Sequence, residues 1–214
     1  HGLWVAFFTL MALLAALAML RDAPAAARPR AAAILIYLFY MLLVCKSSGP
    51  LVYLVSLSPL LVFVGSRVQI LVAAGLAALV IIYPILRGAH LVPLERILDF
   101  ATSFSADRAY SLQFRIENEE LLLARAQERP WFGWGGYGRN FMHNAVSGEM
   151  SNIADGLWII ILGMNGWLGY LAEFGLTALP LLVLAREVLA RHGVVIARTT
   201  AALSLILAAN MVDL

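Results

Sequence analysis

Between Asp107 and Asp155 the chain gathers the residue types that handle anions and protons. Asp107-Arg108, Arg115, Arg139, His143-Asn144 and Asp155-Gly156 form its densest polar constellation. Arg108, Arg115 and Arg139 can hold a diphosphate, because a planar guanidinium offers paired N–H donors to two oxygens at once. His143 can take or give a proton near neutral pH, and Asp155 can orient it or act as the base itself. Each has a plainer role to set beside that one. Arg115 and Glu119 stand at i,i+4 spacing, which suits an ion pair on a helix surface, and a loop histidine is more often a solvated hydrogen-bonding group. Asp155 opens a long apolar run, where exposure to lipid costs roughly 2.5–3.5 kcal/mol. It therefore either carries function or begins its helix in a shallow, wet position. Glu173, deeper in the same run, is expected to make a buried polar contact, with Gly166, Gly169 and Gly175 permitting close helix approach.

The stretch Pro130-Trp131-Phe132-Gly133-Trp134-Gly135-Gly136-Tyr137-Gly138-Arg139-Asn140 is rich in glycine and aromatic rings. Its glycines can bring backbone close to a ligand. Trp131, Trp134 and Tyr137 can stack on sugars or rest at a membrane interface. No Gly-Lys-Ser/Thr follows the glycines, so this is not a phosphate loop, and there is no nucleophile elbow or dinucleotide fingerprint. No histidine pair or carboxylate cluster has metal-ligand spacing, so the expected chemistry uses no metal or other cofactor. Cys45 is the single cysteine and excludes an intramolecular disulfide.

These residues must be positioned by a chain that is 62% apolar and only 13% charged over 214 residues, well beyond the balance of a soluble globule. The excess lies in runs. Leu3–Leu20 and Val68–Leu86 hold no charged residue, and each is long enough to cross most of a hydrocarbon layer about 30 Å thick. Ala31–Cys45, at 15 residues, is short for a crossing, with Tyr40 and Lys46 available to set its depth. Leu51–Gly65 is a third run, which Pro59 is expected to bend rather than end. Ile153–Ala185, at 33 residues, reads as a broken lead-in segment through Leu162 followed by one crossing centred near Leu171–Leu184. Thr199–Val212 completes the apolar series. The expected fold is all-α: a polytopic transmembrane helix bundle forming a single membrane domain over 1–214. The first residue, His1, suggests a fragment of a longer protein.

Residues 88–152 differ in character, with eight acidic residues, six arginines and two histidines for a formal charge of −2. The segment is too long for a plain connector and is expected to be an embedded, partly helical extracytoplasmic loop. Leu91–Phe104 has the pattern of an amphipathic helix lying on a bilayer; a second helix is expected from about Ser111 to Glu128, stopped by Pro130. Charge orients the bundle. With the long loop outside, the Arg21–Arg30, Arg67 and Arg186–Arg198 connections fall inside with net charges of +2, +1 and +2, as the positive-inside tendency favours. Lys46 dissents. This topology has six crossings. The scattered net charge of +2 is no nucleic-acid footprint.

Four features in order resemble the C-terminal portion of the bacterial O-antigen ligase and O-antigen or exopolysaccharide polymerase superfamily. They are Lys46-Ser47-Ser48-Gly49; Asp107-Arg108 with Arg115; Pro130-Trp131-Phe132-Gly133-Trp134-Gly135 with Gly138; and Asp155-Gly156 followed by Gly163-Met164-Asn165-Gly166-Trp167-Leu168-Gly169. The resemblance implies a glycosyltransferase C-like membrane enzyme of the bacterial cytoplasmic (inner) membrane, in contact with membrane lipid and with polysaccharide export or assembly proteins as further partners. Its donor would be a polyprenyl-diphosphate-linked glycan, transferred to a sugar hydroxyl. The family carries a histidine near the start of the helix after the loop. Here Asp155 stands before Gly156 while His143 lies earlier, so both remain candidates for the base, with Arg108, Arg115 and Arg139 on the diphosphate. A transporter or flippase of lipid-linked glycans, or a noncatalytic assembly subunit, would use the same architecture without the transfer.

Overall fold

A chain in lipid must satisfy its backbone internally, which leaves the helix as the natural form of each apolar run. The computed structural model is all-helical, with no strand among the described residues, which are 2–144, 148–150, 152–154, 156–190 and 195–213, less the side chains of Phe104 and Arg108. Its helices are α1 (Gly2–Asp22), α2 (Arg28–Val44), α3 (Ser48–Phe63), α4 (Ser66–Gly88), α5 (Leu94–Phe104), α6 (Ala106–Gln127), α7 (Leu157–Ala190) and α8 (Arg198–Asp213). Three of them, α1, α4 and α7, are long and apolar enough to cross a membrane; α3 is apolar but shorter. Pro59 lies inside α3 without ending it. The two helices expected within residues 88–152 are present as α5 and α6.

The chain divides into two compact units, and the division falls within α4 and α7. In the first, residues 1–78 and 178–212, α1 packs against α2 and α3. Ile70 and Ala74 of α4 meet Ala185 and Val188 of α7 and Ala201 of α8 in a small-residue core. Side chains close the ends of its helices. Gln69, fully buried, donates from Nε2 to the Leu60 carbonyl at 2.9 Å and the Val64 carbonyl at 2.8 Å. The Arg21 guanidinium reaches the Leu61 carbonyl, and Arg67 donates to the Val188 carbonyl at 2.8 Å. Leu61 and Val188 lie in the last turns of α3 and α7, where intrahelical donors run out, whereas the Leu60 carbonyl also accepts from the Val64 N–H at 3.3 Å.

The second unit, residues 79–177 with the last two of the chain, contains the whole of 88–152. Its α4 portion carries Pro84. Proline has no N–H, so the Val80 carbonyl four residues back loses its helical donor. The Tyr170 hydroxyl supplies one, at 2.7 Å. Tyr170 is fully buried and packs on Phe174 and Trp167, while Tyr83 and Trp158 meet edge to face at 5.0 Å. One position departs from expectation. Glu173 is exposed rather than in a buried contact, because the buried face of α7 is set by Tyr170, Phe174, Ala178 and Leu181 and Glu173 lies about 95° around the helix from its centre.

Tyr170→Phe is expected to destabilise the protein by about 1–3 kcal/mol, the cost of an orphaned buried carbonyl. In a Pro84→Ala background the same change costs less, since residue 84 then offers its own N–H to Val80. Unfolding of the four proteins in mixed micelles checks this as a double-mutant cycle, and equal penalties in both backgrounds would refute the pairing.

Candidate functional site

The glycine-rich stretch after α6 folds against the helix that follows it. Within α7, Gly166 has φ +64° and ψ −165°, which breaks the helical path. In an unbroken helix the N–H groups of Trp167 and Leu168 would pair with the carbonyls of Gly163 and Met164. All four groups are instead bonded to residues 130–135. Trp167 and Leu168 donate to the carbonyls of Pro130 and Trp131 at 2.7 and 3.3 Å; Trp134 and Gly135 donate to those of Gly163 and Met164 at 2.9 and 2.8 Å. The break therefore sits at Gly166 rather than near Leu162, and Gly133 serves a close approach of backbone to backbone.

That approach is reciprocal. A Cβ at Gly133, whose φ is +67°, would lie 2.4 Å from the Met164 carbonyl carbon, and one at Gly166 would lie 2.4 Å from that of Trp131. Trp134 is fastened further. Its indole N–H donates to the Arg125 carbonyl at 2.8 Å, and the guanidinium carbons of Arg125 and Arg129 lie 3.3 and 4.1 Å from its ring centroid. Cations held over an indole face are favoured by its quadrupole. Trp131 is exposed, and Tyr137, in a left-handed turn with φ +63°, is wholly so.

Beyond this junction residues 142–144 and 148–150 come together. His143 and Met150 form an isolated antiparallel bridge, and the Asn144 N–H donates to the Glu149 carbonyl at 2.9 Å. Two asparagines secure the base of the excursion. Asn152 Oδ1 accepts from the Met142 N–H at 2.9 Å, and Asn118 Oδ1, on α6, accepts from the Ile153 N–H at 3.0 Å. Both asparagines are buried.

The sequence candidates meet different fates. Arg115 is on the exposed side of α6 and lines a cleft of about 250 Å³ with Ser111, Phe114, Asn118 and Ile153. His143 is exposed on the excursion whose base Asn118 pins. Arg139 is exposed and folds onto its own turn, Nε donating to the Gly136 carbonyl at 3.1 Å. Asp155 and the Arg108 side chain lie outside the described residues, although position 108 falls on helical backbone in α6. A second cleft, of about 200 Å³ and mainly apolar, is bordered by Pro84, Leu123, Pro130 and Leu162.

No protein-family model, curated protein or solved structure matches the chain. Its own geometry carries the reading. Sequence reasoning overlooked Asn118 and Asn152; for Asn118 the i,i+3 step from Arg115 was an available signal, placing the two on one face of α6. It also overlooked Arg125, in the last turn of α6, and Arg129, just beyond its end, whose i,i+4 spacing was the available signal for the Trp134 clamp.

Gly166→Ala and Gly133→Ala are each expected to cost about 3 kcal/mol or more, since each adds a backbone clash to a left-handed conformation. Gly175→Ala, in the same helix with nothing within 4 Å of the added carbon, is expected to be neutral or to stabilise by about 0.5–1 kcal/mol. Thermal unfolding in detergent ranks the three, and a Gly166→Ala protein as stable as Gly175→Ala would exclude the junction.

Proposed function

We propose that the protein is a membrane glycosyltransferase of the O-antigen ligase or polysaccharide polymerase type, moving a glycan from a polyprenyl-diphosphate carrier to a sugar hydroxyl. The observation that carries this reading is the junction of residues 130–135 with 163–168. Two segments on which the resemblance rests are hydrogen-bonded to one another, and the polar stretch between them is tied back to α6 beside Arg115 through Asn118. Sequence order alone does not require that convergence.

Transfer at an anomeric carbon needs three provisions. The acceptor hydroxyl must lose its proton, the diphosphate must take up negative charge as the C–O bond breaks, and water must be kept from competing. Asp155 or His143 accepts the proton. Arg115, with Arg108 and Arg139 as further candidates, stabilises the departing diphosphate through charge-assisted hydrogen bonds. The six-crossing arrangement with 88–152 on the extracytoplasmic face of a bacterial inner membrane belongs to the same proposal. Three helices suited to crossing a membrane support its membrane character.

The test is transfer by the full-length protein in nanodiscs supplied with a polyprenyl-diphosphate glycan and sugar acceptors. Substitution of the true base, through Asp155→Asn or His143→Ala, is expected to lower kcat by about 10²–10⁴-fold with donor binding retained. Arg115→Ala is expected to weaken donor binding as well. Wild-type protein that binds donor yet transfers to no acceptor would leave the flippase and assembly-subunit readings in place. Labelling that found residues 21–30 and 88–152 on one side of the membrane would refute the topology.

A further inference from the structure

The α6 cleft has a composition that its arginine alone does not explain. Ser111, Phe114, Arg115 and Asn118 stand at i, i+3, i+4 and i+7, a single stripe of the helix, and Ile153 closes its far side. The stripe presents a hydroxyl, an aromatic ring, a guanidinium and a carboxamide within one concavity. Its floor is already organised. Asn118, only 8% exposed, donates from Nδ2 to the Phe114 carbonyl at 2.7 Å and accepts from the Ile153 N–H at 3.0 Å. A primary carboxamide retains one further N–H and one further lone pair in that arrangement. Phe114 keeps 47% of its surface exposed, so a ring face or edge is available for contact. At about 250 Å³ the cleft is below the roughly 300–1,000 Å³ of a drug-sized site, room for one ring rather than an oligosaccharide.

We infer that this cleft binds a single hexose unit carrying a phosphate, with the sugar ring against Phe114, its hydroxyls at Ser111 and Asn118, and its anion at Arg115. The inference rests on the transfer reading above and specifies which part of the donor α6 holds. It also moves sugar recognition away from Trp134, whose ring is covered by Arg125 and Arg129. A pyranose offers an apolar C–H face and a rim of hydroxyls, and the stripe matches both with one group for the charge.

Ligand-observed NMR of the full-length protein in nanodiscs tests it, with glucose 1-phosphate, N-acetylglucosamine 1-phosphate and inorganic phosphate as probes. Phe114→Ala is expected to weaken at least one of the two sugar phosphates about tenfold while leaving inorganic phosphate unchanged; Arg115→Gln is expected to weaken all three. Ser111→Ala is expected to reduce only sugar phosphate binding. Protection of the Ile153 amide from hydrogen exchange, retained in Phe114→Ala, shows that the cleft still stands. Displacement of the sugar phosphate by polyprenyl-diphosphate glycan assigns the cleft to the lipid-linked donor, whereas persistence assigns it to a soluble sugar phosphate. Failure of both sugar phosphates to bind wild type, or equal losses for sugar phosphate and inorganic phosphate in Phe114→Ala, would overturn the inference. Binding that survives without any transfer would count against the enzymatic reading and leave the cleft assignment intact.

Discussion

Four backbone groups exposed by one break in α7 set the terms for the polar half of this protein. The carbonyls of Gly163 and Met164 and the N–H groups of Trp167 and Leu168 have given up one another, and residues 130–135 replace every lost partner. Each bond is worth only about 1 kcal/mol net in water, but an unpaired buried group costs about 1–3 kcal/mol, and more in lipid where nothing else can pair with it. The break and the loop are thus a single feature: neither conformation is tolerable without the other. Only glycine allows it, since Gly133 and Gly166 bring backbone against backbone at distances that a methyl group would forbid. Once the junction closes, both the end of α6 and the start of the 141–153 excursion are fixed in register with α7.

The same constraint recurs wherever a helix is interrupted. Pro84 removes a donor and Tyr170 supplies one to Val80. The end of α3 is served by Gln69 and the end of α7 by Arg67, while the buried Arg87 donates to the Ile116 carbonyl inside α6 at 3.2 Å. Most of these donors are long side chains aimed at main-chain oxygens rather than at carboxylates. A charged donor to a carbonyl forms a stronger bond than a neutral one, and it avoids the desolvation of a second ion that a buried salt bridge would require. The arginines of a mostly apolar chain are therefore put to different uses, some bonded to main-chain carbonyls and one lining a surface cleft. Arg115 lines a cleft, whereas Arg67 and Arg87 are committed to carbonyls, and no charge count separates the two groups.

What the sequence made readable follows from what is local. The bounds of α1 and α4 and the ends of α5 and α6 follow from where charge, proline and glycine interrupt apolar periodicity, and these signals act within a few residues of the boundary; α6 starts earlier than expected, at Ala106 rather than Ser111. The position of the α7 break was not local. Leu162 and Gly166 are both plausible sites in isolation, and the choice is made by residues 130–135, some thirty positions earlier, which arrive with four matching groups. Glu173 failed for a related reason: its burial depends on the rotational phase of α7, set by Tyr170 and Phe174 against their neighbours, not on glycine spacing. Among site candidates, Arg115 stood out as one arginine of a polar constellation, although Phe114 and Ile116 flank it in the chain. Asn118 was not, since an asparagine among glutamates reads as a solvated position until Ile153 is seen to donate to it.

The contrast between Trp134 and Phe114 turns on saturation of each ring. Trp134 is the larger and, by composition, the better sugar platform, yet its N–H is bonded and two guanidiniums lie over the ring. A sugar stacking there would first have to displace cations held by the quadrupole of the indole, and Arg125 is further held at 2.7 Å by Glu128. Phe114 has no polar atom to satisfy and keeps nearly half its surface open. The clamp at one end of α6 thus stabilises the junction, while Phe114 stays open in the stripe nearer the other end. A single helix carries structural fastening at one end and the proposed sugar phosphate cleft nearer the other, and Asn118 links the two by accepting from Ile153.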